Sequence, residues 1–141
     1  MGAPNLIPSN LDWVTARAEC SVVHVFKEIE QGVIADVEKA QSFVLPTEPI
    51  KFSIAKGASN RFTVVRVDDP ISAISHSVYF VCKRGEIQVY EDAANGEELR
   101  MKATLTLTDD GHCKLKVGDE ELYQWQFRRR ALENLFFGIP R

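Results

Sequence analysis

The chain has 141 residues, 45% hydrophobic and 26% charged, with a formal net charge of −3 at pH 7. This length and composition are typical of one globular domain that can fold without a metal or disulfides, and they argue against disorder. The weak negative charge disfavours binding to nucleic acid or to a membrane surface, because both partners select basic proteins. No apolar run approaches the roughly 18 residues that a membrane span needs.

The cysteines indicate a reduced, cytoplasmic protein. Cys20, Cys82 and Cys113 are odd in number and have no CxxC spacing. Since a disulfide framework normally uses an even number, we predict three free thiols that pack as small hydrophobic residues. The start of the chain also lacks the charged and apolar segments of a signal peptide.

A long helix is predicted first. Ser9 can accept a hydrogen bond from the backbone N–H of Asp12, as an N-terminal cap does. Apolar residues then recur every three or four positions, which predicts one continuous helix ending near Ser42, before Pro46. This stripe consists of Leu11, Val14, Ala18, Val22, Val25, Ile29, Val33, Val37 and Ala40.

Strands follow the helix. Six segments have the period of a β-strand: 50–56, 61–68, 76–83, 86–91, 99–108 and 113–117. The clearest pair is the hairpin over 99–117, in which strict alternation surrounds an Asp110-Gly111 turn. We expect one face of its first strand to be buried, and that face carries Leu99, Met101, Ala103, Leu105 and Leu107.

Segment 76–83 is apolar on both faces, which is typical of a central strand covered twice. The second cover would be the C-terminal segment, the far wall of a closed barrel, or another subunit. Residues 120–123 alternate weakly and predict a seventh strand or a turn. A helix should then run to Gly138, with Pro140 beyond its end.

The predicted fold is therefore α+β: a long N-terminal helix, an antiparallel meander of six to seven strands, and a C-terminal helix. One domain would occupy 9–138, with 1–8 as an N-terminal extension. By order of elements alone, the chain resembles cystatin-like layouts, in which a sheet wraps a helix. With a seventh strand counted, it is also similar to a pleckstrin-homology-like barrel with an added N-terminal helix. No motif connects the chain to either family.

No residue pattern predicts a catalytic, cofactor or metal site. His76 and Cys82 lie on one strand face, but their Cα atoms would be about 20 Å apart, too far for a thiolate–imidazole pair. His112 lies in a tight turn and Cys113 begins a strand; because adjacent strand residues point in opposite directions, the two cannot readily share a metal. Because no two cysteines or histidines have ligand spacing, we predict that the chain binds no structural zinc.

The C-terminal helix carries the strongest candidate for an interaction surface. Arg128, Arg129 and Arg130 lie beside Trp125, and Arg and Trp are favoured at interfaces. Phe136 and Phe137 are about 100° apart on a helix, so both cannot face one sheet. We therefore predict a homodimer that buries Phe137, with binding of an anion to the arginines as a second possibility.

Two alternatives are less specific. The arginines could lie on a solvated helix face with one of them paired to an acidic turn. Phe137 and Ile139 could instead fold back over the helix end in a monomer.

Two functions fit these features. The first is a non-catalytic binding or interaction module that self-associates. The second is an enzyme acting on an unidentified small molecule in a pocket between the N-terminal helix and the sheet, where His76 or Tyr79 would supply a polar group among apolar walls.

Overall fold

The computed structural model of the chain describes residues 7–69, 71, 74–93 and 96–138. Within these residues it confirms the α+β fold, with three helices and a seven-stranded antiparallel sheet. The helices are α1 (Trp13–Glu19), α2 (Val22–Ser42) and α3 (Gln124–Phe137). The strands are β1 (Lys51–Lys56), β2 (Arg61–Asp69), β3 (Ile74–Lys83), β4 (Glu86–Ala93), β5 (Gly96–Leu107), β6 (Cys113–Val117) and β7 (Glu120–Leu122).

The strands are hydrogen-bonded in chain order, so the sheet is an open meander with β1 and β7 at its edges rather than a closed barrel. None of the helices in the described part of the chain combines the length and the apolar character needed to cross a bilayer.

The predicted single N-terminal helix is wrong, because the chain forms two helices separated at Cys20 and Ser21. Asp12, not Ser9, caps α1 by accepting a hydrogen bond from the Thr15 amide at 3.2 Å. The Ser21 hydroxyl caps α2 by accepting a hydrogen bond from the His24 amide at 3.2 Å. A serine side chain that bonds to the backbone in this way favours a helix start over a continuous helix. α1 buries no residue, whereas α2 buries Val25, Phe26, Ile29, Val33, Val37 and Ala40.

Both long helices pack on the same face of the sheet. Phe62 and Phe80 are cross-strand partners on that face, and their rings stack with centroids 4.7 Å apart. Phe26 of α2 lies 5.3 Å from the Phe62 ring, and Phe127 of α3 lies 6.5 Å from the Phe80 ring. Since α3 lies on the same side as α2, the C-terminal segment is not the second cover predicted for β3.

The register of β5 departs from simple alternation. A β-bulge between β4 and β5 places Met101 opposite Val89 but Leu99 opposite Tyr90. Cross-strand partners share a face, so the extra residue moves Leu99 away from the core. Leu99 is consequently 46% exposed, and its predicted burial is wrong.

The C-terminal end of the fold agrees with prediction. β7 and α3 succeed each other, and Gly138 follows the last helical residue. The predicted contributions of Ile139 and Pro140 lie outside the described residues. The guanidinium of Arg66, which is 5% exposed, donates hydrogen bonds to the carbonyls of Leu135 and Gly138, each at 2.9 Å. This side chain attaches the end of α3 to β2, where a positive charge also suits the helix dipole.

Cys20 and Cys113 form a disulfide with Cα atoms 5.4 Å apart, so the prediction of three reduced thiols is wrong for this pair. The fold brings the start of α2 against the start of β6, although the two cysteines are 93 positions apart. Cys82 is a half-buried free thiol whose pKa is raised by burial. The thiol argument for a cytoplasmic protein therefore no longer holds.

Candidate functional site

The candidate site is a shallow groove of about 370 Å³ between α2 and α3, here called the α2–α3 groove. Ala40, Leu132 and Phe136 are among its apolar lining residues, together with three large aromatic side chains that remain exposed to solvent. Their exposed fractions are 69% for Phe43, 54% for Trp125 and 69% for Phe137. The rest of the lining consists of Asp36, Lys39, Arg128, Arg129 and Glu133.

The adjacent phenylalanines divide as predicted. Phe136 is half-buried and packs edge-on against Phe52, with ring centroids 5.1 Å apart. Phe137 projects outward. Its ring is edge-on to the Phe136 ring, with ring centroids 6.3 Å apart. With 69% of its surface exposed, Phe137 does not fold back over the helix end.

Arg128 lies across α2 rather than toward solvent. Its Nε is 2.7 Å from an Asp36 carboxylate oxygen, and its side chain is 19% exposed. A Cβ atom at Gly32 would lie 2.6 Å from the Arg128 guanidinium, so any side chain there would displace the end of Arg128 from its present position. Gly32 therefore serves the close approach of α3 to α2 instead of interrupting α2, which continues through it.

The other two arginines are also paired within the chain. Arg129 binds Glu133 one turn later on α3 at 3.0 Å. Arg130 forms two hydrogen bonds to Glu120, at 2.6 and 3.1 Å, and this contact holds the pKa of the Glu120 carboxyl below its ordinary value. Since all three guanidinium groups of the cluster have carboxylate partners, the geometry does not favour an anion site.

His76 and Tyr79 do not meet. His76 lies 3.4 Å from Asp68 on the core side of β3, near the sheet margin, and is 45% exposed. Tyr79 projects from the opposite face, donates a hydrogen bond to Asp92 at 2.8 Å and lies under the Arg61 guanidinium. The hydrogen bond to Asp92 raises the Tyr79 pKa. Tyr79 therefore does not face the region between α2 and the sheet, whereas His76 lies on that side of the sheet, paired with Asp68.

A second, polar groove of about 380 Å³ lies between α1, the start of α2 and the β5–β6 turn. Its lining includes Asp12, Glu19, His24, Glu28 and His112. The His24 and Glu28 side chains approach to 3.6 Å, as the i,i+4 spacing on a helix allows. Across the part of the chain that the structure describes, no group of three His, Cys, Asp or Glu side chains is arranged to hold a metal ion.

Sequence reasoning found Trp125, the arginines and Phe137, but it missed Asp36 and Phe43. Both belong to α2 or its end, so only the packing of α2 against α3 places them beside the C-terminal residues. The fold and the groove define a small α+β domain with an exposed aromatic surface on its helical side. Comparisons with protein-family models, with curated proteins and with solved structures gave no match to this chain.

Proposed function

We propose that this protein is a non-catalytic interaction module that forms a homodimer through the α2–α3 groove. The observation that supports this function is the convergence of Phe43, Trp125 and Phe137 around one groove. Contiguous exposed apolar surface is uncommon on monomers and marks interaction sites. Aromatic residues at the centre with charged residues around them are the composition of a protein–protein interface.

The charges around the groove favour a second copy of the chain as its occupant. Lys39 and Arg129 contribute positive charge, whereas Asp36 and Glu133 contribute negative charge. In a two-fold interface the same patch meets itself, so a patch of one sign would repel its copy and a mixed patch can pair. Antiparallel packing of two α3 helices, centred midway between the exposed Arg129 and Glu133, would bring Arg129 of each copy near Glu133 of the other.

The existing Arg129–Glu133 contact does not oppose this exchange. Both side chains are more than half exposed, at 62% and 55%. Exposed ion pairs at this spacing contribute only about 0.3–0.5 kcal/mol. The two residues can therefore change partners on association at little cost.

Phe137→Ser is expected to weaken the dimer at least 30-fold, because loss of a central aromatic costs about 2 kcal/mol or more. Sedimentation equilibrium at micromolar concentrations would measure the dissociation constants of the wild type and the variant. Leu99→Ser is the matched control, since it removes an exposed apolar residue from the opposite face of the sheet. A wild type that stays monomeric, or a control that dissociates equally, would end this proposal.

The enzyme hypothesis has less support. Raised pKa values keep the Cys82 thiol and the Tyr79 hydroxyl protonated at neutral pH, so neither is prepared to act as a nucleophile or a base. The region between α2 and the sheet, where the pocket was predicted, contains buried aromatic rings in contact with one another.

A further inference from the structure

The segment that contains α1 is attached to the domain at few points. α1 itself buries no residue. The Leu11 side chain packs against Gly111 and occupies the space of a missing side chain, since a Cβ atom on Gly111 would lie 2.9 Å from a Leu11 methyl group. The strongest attachment is the Cys20–Cys113 disulfide, which joins the end of this segment to β6.

We propose that this disulfide is a redox latch that holds α1 and the residues around it, 7–20, against the domain. A dithiol reductant would open it by thiol–disulfide exchange. One thiolate of the reductant attacks a sulfur of the bond, and its second thiol resolves the mixed disulfide. Two electrons pass to the protein, two protons complete the Cys20 and Cys113 thiols, and the reductant becomes a disulfide.

The position of the bond gives a reductant access to it. Cys20 is almost fully buried, at 5% exposed, whereas Cys113 is half-buried and lines the polar groove. Attack from the groove can therefore reach the bond without unfolding the core. Access of this kind favours reduction, since disulfides that a reductant can reach are more labile than fully buried structural ones.

The rest of the domain does not depend on the released segment. Within the described residues, the main core cluster includes nothing before Val22 of α2. Ser21 caps α2 with its own hydroxyl, so the helix keeps its start when the bond opens. Release of α1 would remove Asp12, Thr15 and Ala16 from the polar groove, leaving its other wall exposed to solvent.

The latch also bears on location. A disulfide of this kind persists in an oxidising compartment and is rare where thiol reductants are maintained. The latched form would therefore belong to an oxidising compartment, and reduction would produce the released form.

Trypsin digestion tests the latch because both Arg17 and Lys27 are exposed, but Arg17 lies in α1, which buries no residue, whereas Lys27 lies in α2 beside the buried Val25, Phe26 and Ile29. We expect cleavage after Arg17 to become at least tenfold faster on reduction, with no comparable change at Lys27 and with the far-UV circular dichroism retained. The Cys20→Ser, Cys113→Ser double variant should behave like reduced protein without a reductant. Cys82→Ser is the control and should keep the response of the wild type.

Three results would overturn the proposal. Equal cleavage after Arg17 in both redox states would show that other contacts hold α1. Equal acceleration at Lys27 would show that the bond supports the whole fold. Three free thiols in unreduced protein, titrated after denaturation under air, would show that the bond does not form.

Discussion

Val25→Asp is expected to unfold the domain. Val25 is 1% exposed and belongs to the core cluster that joins α2 to the sheet. A carboxylate at this position would be buried with no partner, which costs several kcal/mol. Since domains of this size are stable by only about 5–15 kcal/mol, a loss of this size removes most of the folded population of a domain at the lower end of that range. Thermal denaturation followed by far-UV circular dichroism would measure the fall in melting temperature, or the absence of a folded state.

Val23→Asp is the matched control for this substitution. Val23 lies two positions earlier on the same helix and is 63% exposed, so the same carboxylate would remain hydrated. Its melting temperature should stay within a few degrees of the wild type, because surface substitutions usually change stability by less than about 0.5 kcal/mol. An unchanged melting temperature for Val25→Asp would show that this face of α2 is not buried.

Arg66→Met is expected to lower the free energy of unfolding by about 3–5 kcal/mol, the usual cost of removing one partner from a buried charged cluster. Methionine fills a similar length but donates no hydrogen bonds. The carbonyls of Leu135 and Gly138 and the carboxylate of Asp68, which accepts from Arg66 Nε at 2.6 Å, would each lose a donor. Urea denaturation would give the stability change, and amide hydrogen exchange should show faster opening in the last turn of α3.

Arg100→Met separates this effect from the general loss of an arginine. Arg100 is 51% exposed and lies 3.5 Å from Glu91, so its removal should cost at most about 1 kcal/mol. If Arg66→Met were no more destabilising than Arg100→Met, or if α3 kept its exchange protection, the role of Arg66 at the end of that helix would be disproved.

The sequence alone determined the features that depend on neighbours along the chain. A period of two identified the strands. The Asp110-Gly111 turn was recognisable because glycine readily adopts the positive φ that such a turn needs, and Gly111 has a φ of 86°. A period near 3.6 identified the buried stripe of α2, and Gly138 marked the end of α3. These signals are local, since they follow from backbone geometry and from which side of one element is apolar.

Candidate interface residues were only partly predictable for the same reason. Trp125 and Phe137 were recognisable because the C-terminal helix carries more apolar side chains than one buried helical stripe can hold. Their grouping with Phe43, and the pairing of Arg128 with Asp36, required α2 and α3 to lie side by side on the sheet. No spacing within either helix contains that information.

Tertiary structure also decided the features for which local signals pointed the other way. The apolar stripe favoured one long helix, but the chain breaks before the Ser21 cap of α2. Only α2 packs on the sheet, whereas α1 buries no residue. The odd number of cysteines indicated free thiols, yet the fold places Cys20 beside Cys113. Likewise the bulge opposite Tyr90 turned Leu99 away from the core. Each outcome depends on contacts between distant parts of the chain, which exist only after the helices and the sheet have packed together.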